Sequence, residues 1–271
     1  MTLKEAIYLL KEAGVDSPEY DARELFAHFS GIGRASVSLC FESDSPELIS
    51  AIKRRASREP LQYIIGSVGF YREEYEVTPD CLIPRSDTEI LVDYAVKHIP
   101  VGERFADLCS GSGCIGISTL ANTSDTTCVC VDISAGALDV ARRNARRNGV
   151  EYRIDLKQAD LLGEDVSLGE SFYAILSNPP YIPEEVYRTL EAEIFHEPKI
   201  AFVGEEDGME FYKILTPLAL RHLKDGGFIA FEIGYDQAER INTVAADNAC
   251  ACEIIKDYSG NDRVAILKRL K

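Results

Sequence analysis

The feature that most constrains the fold is a glycine-rich turn between an apolar segment and a helical pattern. Gly111, Gly113 and Gly116 fit the spacing G-x-G-x-x-G, in which glycines let the backbone approach a ligand closely. Asp132 ends the next apolar segment, 19 residues after Gly113 (132 − 113). This spacing is close to the ~20 residues expected of an acid that binds ribose hydroxyls. The combination predicts an α/β sheet that binds an adenosine-containing cofactor.

Strand and helix patterns alternate from Ser86 onward, which is typical of a mostly parallel sheet covered by helices. Ser86 and Glu89 predict a capping box for the first of these helices. The predicted strands are 104–109, 127–132, 152–157, 172–178, 228–233, 252–258 and 263–267. Because the last two flank the turn 259–262, we expect a hairpin and an antiparallel last strand.

The preceding residues predict a small helical bundle. Thr2 and Glu5 form a candidate capping box, and Ser17-Pro18 and Ser45-Pro46 are typical helix starts. Aromatic and β-branched residues between 68 and 78 predict a hairpin, and 79–84 a linker. The predicted domains are residues 1–68, helical; 69–85, hairpin and linker; and 86–271, the α/β domain.

Charge bears on the class of substrate. The 271 residues include 45 acidic and 29 basic side chains, a net charge of −16, which disfavours nucleic acid as a partner and favours a protein or small molecule. A basic cluster at Lys53, Arg54, Arg55 and Arg58 predicts a solvated helix face or, alternatively, a partner-binding patch. The charged N-terminus and the lack of long apolar stretches predict a cytoplasmic protein without a signal peptide or membrane span.

Cysteine spacing gives little support for a metal site or disulfides. The chain has eight cysteines but no Cys-x-x-Cys pair. The Cys-x-Cys spacings at 128/130 and 250/252 would place both thiols on one face of a strand. We therefore expect reduced thiols and no bound metal.

A second motif, Asn178-Pro179-Pro180-Tyr181, closes the apolar run 172–176, which predicts a buried strand. The prolines remove two backbone donors and fix two φ angles, leaving a rigid turn rich in carbonyl oxygens. Asn178 offers a side-chain oxygen and Tyr181 a flat face, which together suit a planar NH2 group. A proline-stiffened turn without a ligand remains open as the alternative.

Two further aspartates lie at predicted strand ends. Asp107 would place a carboxylate near the glycine loop, where it disfavours a pyrophosphate and suits the cationic end of S-adenosylmethionine. Asp160 follows the third strand and would accept a hydrogen bond from an adenine amino group, with Leu161 packing on the ring. A loop or cap role is the alternative for Asp160.

These motifs carry a resemblance to known enzymes. The sequences DLCSGSGCIG at 107–116 and SNPPYI at 177–182, with Asp132, resemble class I S-adenosylmethionine-dependent methyltransferases that act on planar NH2 groups. The stretches similar to HemK-type protein-glutamine methyltransferases are REPLQYI at 58–64, IPRSDTE at 83–89, EP at 197–198 and EIG at 232–234. After 197–198, however, residues 199–208 depart from the Ala-Leu and paired glycines of that family, which affects the expected substrate pocket.

The resemblance covers nearly the whole chain and implies a Rossmann-like class I methyltransferase fold. It implies methyl transfer from S-adenosylmethionine to N5 of the glutamine in the Gly-Gly-Gln motif of class I peptide chain release factors, which the helical domain engages. The implied cofactor-binding residues are Asp107, Cys109, Ser110, Gly111, Ser112, Gly113, Asp132, Asp160, Leu161 and Asn178. The implied substrate-binding residues are Asn178, Pro179, Pro180 and Tyr181, and those expected to be catalytic are Asn178, Pro179 and Tyr181.

Other functions remain open at this stage. An adenine-N6 DNA methyltransferase would use the same Asn178 and Tyr181 on a flipped base, although the acidic surface opposes it. A ribosomal-protein glutamine is another possible target. An NAD-dependent oxidoreductase shares the glycine fingerprint but leaves 178–181 unexplained. A non-catalytic scaffold would show no methyl transfer.

Overall fold

The computed structural model describes residues 1–38, 41–163, 166–169, 171–204 and 207–270. Within these residues the chain forms two compact units. The smaller unit contains Met1–Ser67 and the separate segment Glu191–His196, and the larger contains Val68–Leu190 and the chain from Glu197 onward. The chain therefore leaves the larger unit once, after Leu190, and returns to it at Glu197.

Four helices form the smaller unit. They are α1 (Leu3–Glu12), α2 (Pro18–Ser30), α3 (Pro46–Ala56) and α4 (Leu61–Ile65). The predicted capping box is confirmed, because Thr2 accepts from the Glu5 backbone N–H while the Glu5 side chain accepts from the Thr2 backbone N–H. Pro18 and Pro46 lie in the first turns of their helices, as predicted. The sequence did not predict the five-residue helix α4.

A buried ion cluster lies within the smaller unit. Arg55 Nε donates to Asp21 Oδ2 at 2.7 Å, and Arg55 Nη2 donates to Glu193 Oε1 at 2.9 Å. Arg58 binds the same Glu193 carboxylate through Nε and Nη2, at 2.6 and 2.5 Å. The prediction of a solvated basic face is therefore wrong for Arg55, which is 6% exposed. Lys53 is exposed, as predicted.

The larger unit begins with a two-stranded hairpin and continues as an α/β domain. The hairpin is β1 (Ser67–Phe70) and β2 (Glu73–Glu76). The remaining strands are β3 (Arg104–Leu108), β4 (Thr127–Asp132), β5 (Ile154–Gln158), β6 (Phe172–Ser177), β7 (Leu223–Glu232), β8 (Cys250–Lys256) and β9 (Asp262–Arg269). The helices are α5 (Glu89–His98), α6 (Cys114–Ala121), α7 (Ala135–Arg147), α8 (Glu184–Tyr187), α9 (Glu210–His222) and α10 (Ala238–Asp247). Short 3₁₀ segments are Arg34–Ser36, Ser86–Thr88, Ala192–His196 and Lys199–Ala201.

The seven-stranded sheet has the order β5-β4-β3-β6-β7-β9-β8. The first five strands in this order pair in parallel, and β9 is antiparallel to both β7 and β8. The predicted Rossmann-like fold with an antiparallel last strand is thus confirmed. The strand order reverses between β3 and β6, which in such sheets opens a crevice at the carboxyl ends of the strands.

Both faces of the sheet are covered by helices. On one face, Ala106 and Ile175 pack in a core with residues of α9 and α10. Their chain neighbours Phe105 and Ala174 point to the opposite face, where α5, α6 and the hairpin pack. This alternation follows from the two-residue period of a strand, and it explains why apolar residues run continuously along β6.

Two local predictions in the larger unit are wrong. Ser86 lies in a 3₁₀ turn, and α5 has no side-chain cap. Glu89 forms no capping box because its carboxylate accepts the Tyr71 backbone N–H at 2.8 Å. Strand β7 begins at Leu223, five residues before the predicted start at Phe228.

Among the described residues, no helix is long and apolar enough to span a membrane.

Candidate active site

A pocket of about 290 Å³ lies in the larger unit, where loops follow β3, β4, β5 and β6. Its position matches the crevice expected where the strand order reverses. The lining residues are Asp80, Cys81, Leu82, Cys109, Gly111, Asp132, Ile133, Ser134, Ala137, Ala159, Asp160, Leu161, Leu162, Asn178, Pro180, Pro198, Ile200, Ala201, Val203 and Phe211. Three carboxylates, those of Asp80, Asp132 and Asp160, and one carboxamide thus border a largely apolar cavity.

The glycine loop forms one edge of this pocket. Cys109, the first residue after β3, has φ 57°, which is unusual for a residue other than glycine and commonly found at functional sites. Gly113 has φ 79°, and a Cβ there would lie 2.8 Å from Ile117 Cδ1. The positive φ favours glycine at 113, whereas the contact with the end of the flexible Ile117 side chain can be relieved by a change of rotamer.

Asp132 holds the glycine loop in position. Its Oδ2 accepts the Gly111 N–H at 2.8 Å, and its Oδ1 accepts the Ser134 N–H at 2.9 Å. Burial raises the pKa of Asp132, while these backbone hydrogen bonds favour the charged form. A carboxylate oxygen can accept two hydrogen bonds, so each oxygen of Asp132 can accept one more from a ligand at the pocket wall.

Asp107 lies behind the loop instead of in the pocket lining. It is fully buried, and its Oδ2 accepts the Gly116 N–H at 2.9 Å. Burial raises the pKa of Asp107 to about 7, against the opposing effect of that hydrogen bond. Its Oδ1 has no hydrogen-bond partner among the described residues. An orphaned buried acceptor is compatible with a nearby cationic ligand, and that role of Asp107 stays a prediction.

Asp160 and Leu161 border the pocket after β5. Asp160 is exposed, and its Oδ1 accepts the Leu162 N–H at 3.0 Å. This is the loop-stabilising turn that was the alternative reading of Asp160, and its second oxygen is available for a ligand. Leu161 is 5% exposed and offers an apolar surface.

The turn after β6 is tied to the neighbouring strand. The Ser177 hydroxyl donates to the Leu108 carbonyl at 2.6 Å, which aligns the ends of β6 and β3. Asn178 and Pro180 line the pocket. The Tyr181 hydroxyl donates to Glu232 Oε1 at 3.1 Å, so its ring is held by a buried carboxylate.

The segment after this turn packs closely on its backbone. Ile182 forms a parallel bridge with Val203. A Cβ at Gly204 would lie 2.4 Å from the Pro180 carbonyl oxygen, and one at Gly208 would lie 2.2 Å from the Tyr181 carbonyl oxygen. In the stretch 199–208, which departs from the family pattern, positions 205 and 206 lie outside the described residues. The two glycines of the stretch, Gly204 and Gly208, allow this close packing on the turn.

Glu197 connects two walls of the pocket. Its Oε2 accepts the Ile83 N–H at 2.9 Å, and its Oε1 pairs with Arg85. Leu82 comes from the linker and Pro198 from the later loop, and both line the pocket. The Glu197 carboxylate therefore ties the end of the linker to the later loop.

The sequence did not assign roles to three side chains behind the turn. Thr88 donates to Glu232 Oε2, and Gln237 Nε2 donates to the Tyr181 carbonyl oxygen at 3.1 Å. Two of them, Thr88 and Glu232, lie in the stretches IPRSDTE and EIG, which carried the family resemblance. The family resemblance was the signal that could have identified Thr88 and Glu232. Their hydrogen bond joins residues far apart in the sequence, so no local pattern indicates it.

The structure thus brings together some of the predicted site residues and leaves others behind the pocket. Those that line it are Cys109, Gly111, Asp132, Asp160, Leu161, Asn178 and Pro180. Those outside the lining are Asp107, Ser110, Ser112, Gly113, Pro179 and Tyr181. No disulfide joins two of the seven described cysteines, and no His, Cys, Asp and Glu cluster suited to a metal occurs in the described ranges.

Comparison with solved structures supports the fold. A ribosomal protein L11 methylase from Lactobacillus delbrueckii subsp. bulgaricus aligns with a TM-score of 0.52 and 21% identity, over 72% of this chain and 84% of that one. A methyltransferase from Pyrococcus furiosus gives a TM-score of 0.52 and 20% identity, over 72% of this chain and 89% of that one. At these identities the likeness establishes the fold alone.

Sequence comparison reaches further. Residues 2–66 match the PrmC N-terminal domain, and residues 86–201 match the methyltransferase small domain. The release factor glutamine methyltransferase of Caulobacter vibrioides is 39% identical over 95% of this chain and 91% of its own length. That of Moorella thermoacetica is 35% identical over 98% and 97%. With the pocket at the switch point of a methyltransferase sheet, this similarity shows that the chain belongs to the release factor glutamine methyltransferase family.

Proposed function

We propose that this protein transfers a methyl group from S-adenosylmethionine to the side-chain amide nitrogen of the glutamine in the Gly-Gly-Gln motif of class I release factors. The observation that carries the proposal is the single pocket that joins the glycine loop, Asp132 and Asn178. Relatives that share at least 35% identity over nearly the whole chain bear the name release factor glutamine methyltransferase. We assign the cytoplasm as the site of action, where release factors function.

The pocket suits S-adenosylmethionine. Asp132 would accept hydrogen bonds from the ribose hydroxyls, since its two oxygens keep acceptor capacity beyond Gly111 and Ser134. Leu161 would pack against the adenine and Asp160 would accept from its amino group. The bound cofactor supplies an electrophilic methyl group on a sulfonium. The carboxyl group of Asp107, whose pKa burial raises to about 7, would add negative charge near this cation in its ionised form.

The substrate amide nitrogen is a weak nucleophile because its lone pair is delocalised into the carbonyl. We assign the Asn178 side-chain oxygen and the Pro179 carbonyl as acceptors for its two N–H groups. These acceptors orient the nitrogen and raise its electron density as positive charge develops. Tyr181 would pack against the amide plane. A strong base is not required, because the methylated nitrogen loses a proton readily.

The substitution Asn178→Ala tests this assignment. We expect cofactor affinity within about twofold of wild type but methyl transfer lowered by about 100-fold or more, as for other preorganised polar groups. Isothermal calorimetry measures the first quantity and labelled methyl transfer to a purified release factor the second. Asn242→Ala is the matched control, because Asn242 is exposed on α10 and lies outside the pocket. Near wild-type transfer by Asn178→Ala would contradict the role of Asn178.

The substrate is tested separately. Wild-type protein is incubated with labelled cofactor and, in parallel, with a release factor, ribosomal proteins or duplex DNA. We expect label on the release factor alone. Label on ribosomal protein or DNA would identify one of the alternative substrates, and no label on any of them would refute the proposed activity.

A further inference from the structure

A buried carboxylate lies behind the turn after β6. Glu232, at the end of β7, is 3% exposed. Its Oε2 accepts the Thr88 hydroxyl at 2.5 Å, and its Oε1 accepts the Tyr181 hydroxyl at 3.1 Å. Asn178 Nδ2 lies 3.4 Å from Thr88 Oγ1. Two consecutive hydrogen bonds therefore connect Glu232 to Thr88 and Thr88 to Asn178, the residue assigned to the substrate amide.

Three contacts favour the charged form of Glu232 against its burial. Burial raises the pKa of Glu232 overall, and the hydrogen bond from Thr88, the charge of Arg263 and the hydrogen bond from Tyr181 oppose part of this rise. Both oxygens already accept hydroxyl protons, which is the arrangement of an ionised carboxylate. Arg263 is held in place by Asp257 at 3.2 Å.

The single proton of the Thr88 hydroxyl determines the orientation of the Asn178 amide. A hydroxyl carries one proton, and Thr88 donates it to Glu232. Thr88 Oγ1 then presents only lone pairs to Asn178. The end of the amide that faces Thr88 must be the NH2 group, because the reverse orientation would oppose two oxygens with no proton between them. The amide oxygen is left as the end that points away from Thr88.

We infer that Thr88 and Glu232 are positioning residues that hold the Asn178 carboxamide with its oxygen towards the substrate. This inference rests on the proposed function, in which the Asn178 oxygen accepts an N–H of the target NH2 group. The reversed amide would present its own donors to the donors of the substrate and would repel it. Neither Thr88 nor Glu232 lines the pocket, so both act through Asn178.

Three substitutions test the inference by activity. Thr88→Val keeps the size of the side chain but removes the hydroxyl, and we expect kcat to fall about tenfold or more, with cofactor KM unchanged, as the oriented acceptor is lost. Thr88→Ser restores the hydroxyl and should recover kcat to within about threefold of wild type. Glu232→Gln keeps one acceptor oxygen for the two hydroxyls of Thr88 and Tyr181, and it should lower kcat in the same direction as Thr88→Val. Thr216→Val is the matched control, since Thr216 is equally buried and donates to the Tyr212 carbonyl within α9.

A direct structural readout does not depend on activity. Neutron diffraction from deuterated crystals of the wild-type protein places the deuterons of the Asn178 amide. We expect them on the atom that faces Thr88. An amide oxygen facing Thr88, or equal kcat values for wild type and Thr88→Val, would overturn the inference and leave the proposed function intact. An amide oriented as inferred in a protein that does not methylate the release factor would instead refute the proposed function.

Discussion

Replacing Asp132 with asparagine tests the cofactor site by exchanging one carboxylate oxygen for an NH2 group. The native carboxylate accepts the N–H groups of Gly111 and Ser134 through different oxygens. An asparagine has one oxygen and one NH2 group, so it satisfies only one of these donors and opposes the other with a donor of its own. The substitution also removes the charge that the ribose hydroxyls would meet.

The expected size of the effect follows from these contacts. A hydrogen bond to a charged group contributes about 1.5–3 kcal/mol, so losing one between Asp132 and the ribose should weaken cofactor binding about 10- to 150-fold. The backbone N–H left without an acceptor adds a stability cost of about 1–3 kcal/mol. We therefore expect a larger Kd together with a lower Tm for Asp132→Asn.

Isothermal calorimetry with S-adenosylmethionine measures this change in Kd. The matched control is Asp139→Asn on α7, whose carboxylate pairs with Arg142 at the surface and does not line the pocket. Thermal unfolding of both variants separates loss of binding from loss of the fold. A Kd for Asp132→Asn within twofold of wild type would refute the assignment of Asp132 to the ribose.

Three further predictions concern stability and the pocket. Arg55→Met leaves the buried Asp21 carboxylate without its ion-pair partner, while Glu193 keeps Arg58, so urea unfolding should show about 3–5 kcal/mol lower stability; an unchanged midpoint would contradict this. Burial disfavours the Glu193 charge, but hydrogen bonds from arginines outweigh it and lower its pKa to about 2. The difference in free energy of unfolding between wild type and Glu193→Gln should therefore reach its maximum above pH 4.5 and become smaller as the pH falls towards 2. A difference that grows on acidification would contradict this. Gly204→Ala places a Cβ about 2.4 Å from the Pro180 carbonyl and should lower methyl transfer more than cofactor affinity; equal effects on both would argue against a disturbed turn.

Elements with strong local signals were predictable from the sequence. Strand β4 runs from Thr127 to Asp132, as its apolar pattern predicted, and α1 begins at its capping box. The spacing between the glycine loop and Asp132 pointed to one ligand site, and Gly111 and Asp132 line the same pocket. Local periodicity and a recurring connection between elements were sufficient in these cases.

Other features depend on contacts distant in sequence. The capping box at Ser86 failed because Glu89 instead binds Tyr71 of the hairpin. The pairing of Thr88 with Glu232 joins positions 144 residues apart, and no local pattern indicates it. Arg55 was expected in a solvated basic face because a helix sequence does not show that Asp21 and Glu193 bury its charge.

The most direct test of the proposed activity is mass spectrometry of a class I release factor after incubation with this protein and S-adenosylmethionine. We predict one added methyl group on the peptide that contains Gly-Gly-Gln, with fragment ions that place it on the glutamine side chain. The same reaction with Asn178→Ala should leave the peptide unmodified. An unmodified glutamine after incubation with wild-type protein that binds the cofactor would contradict the account.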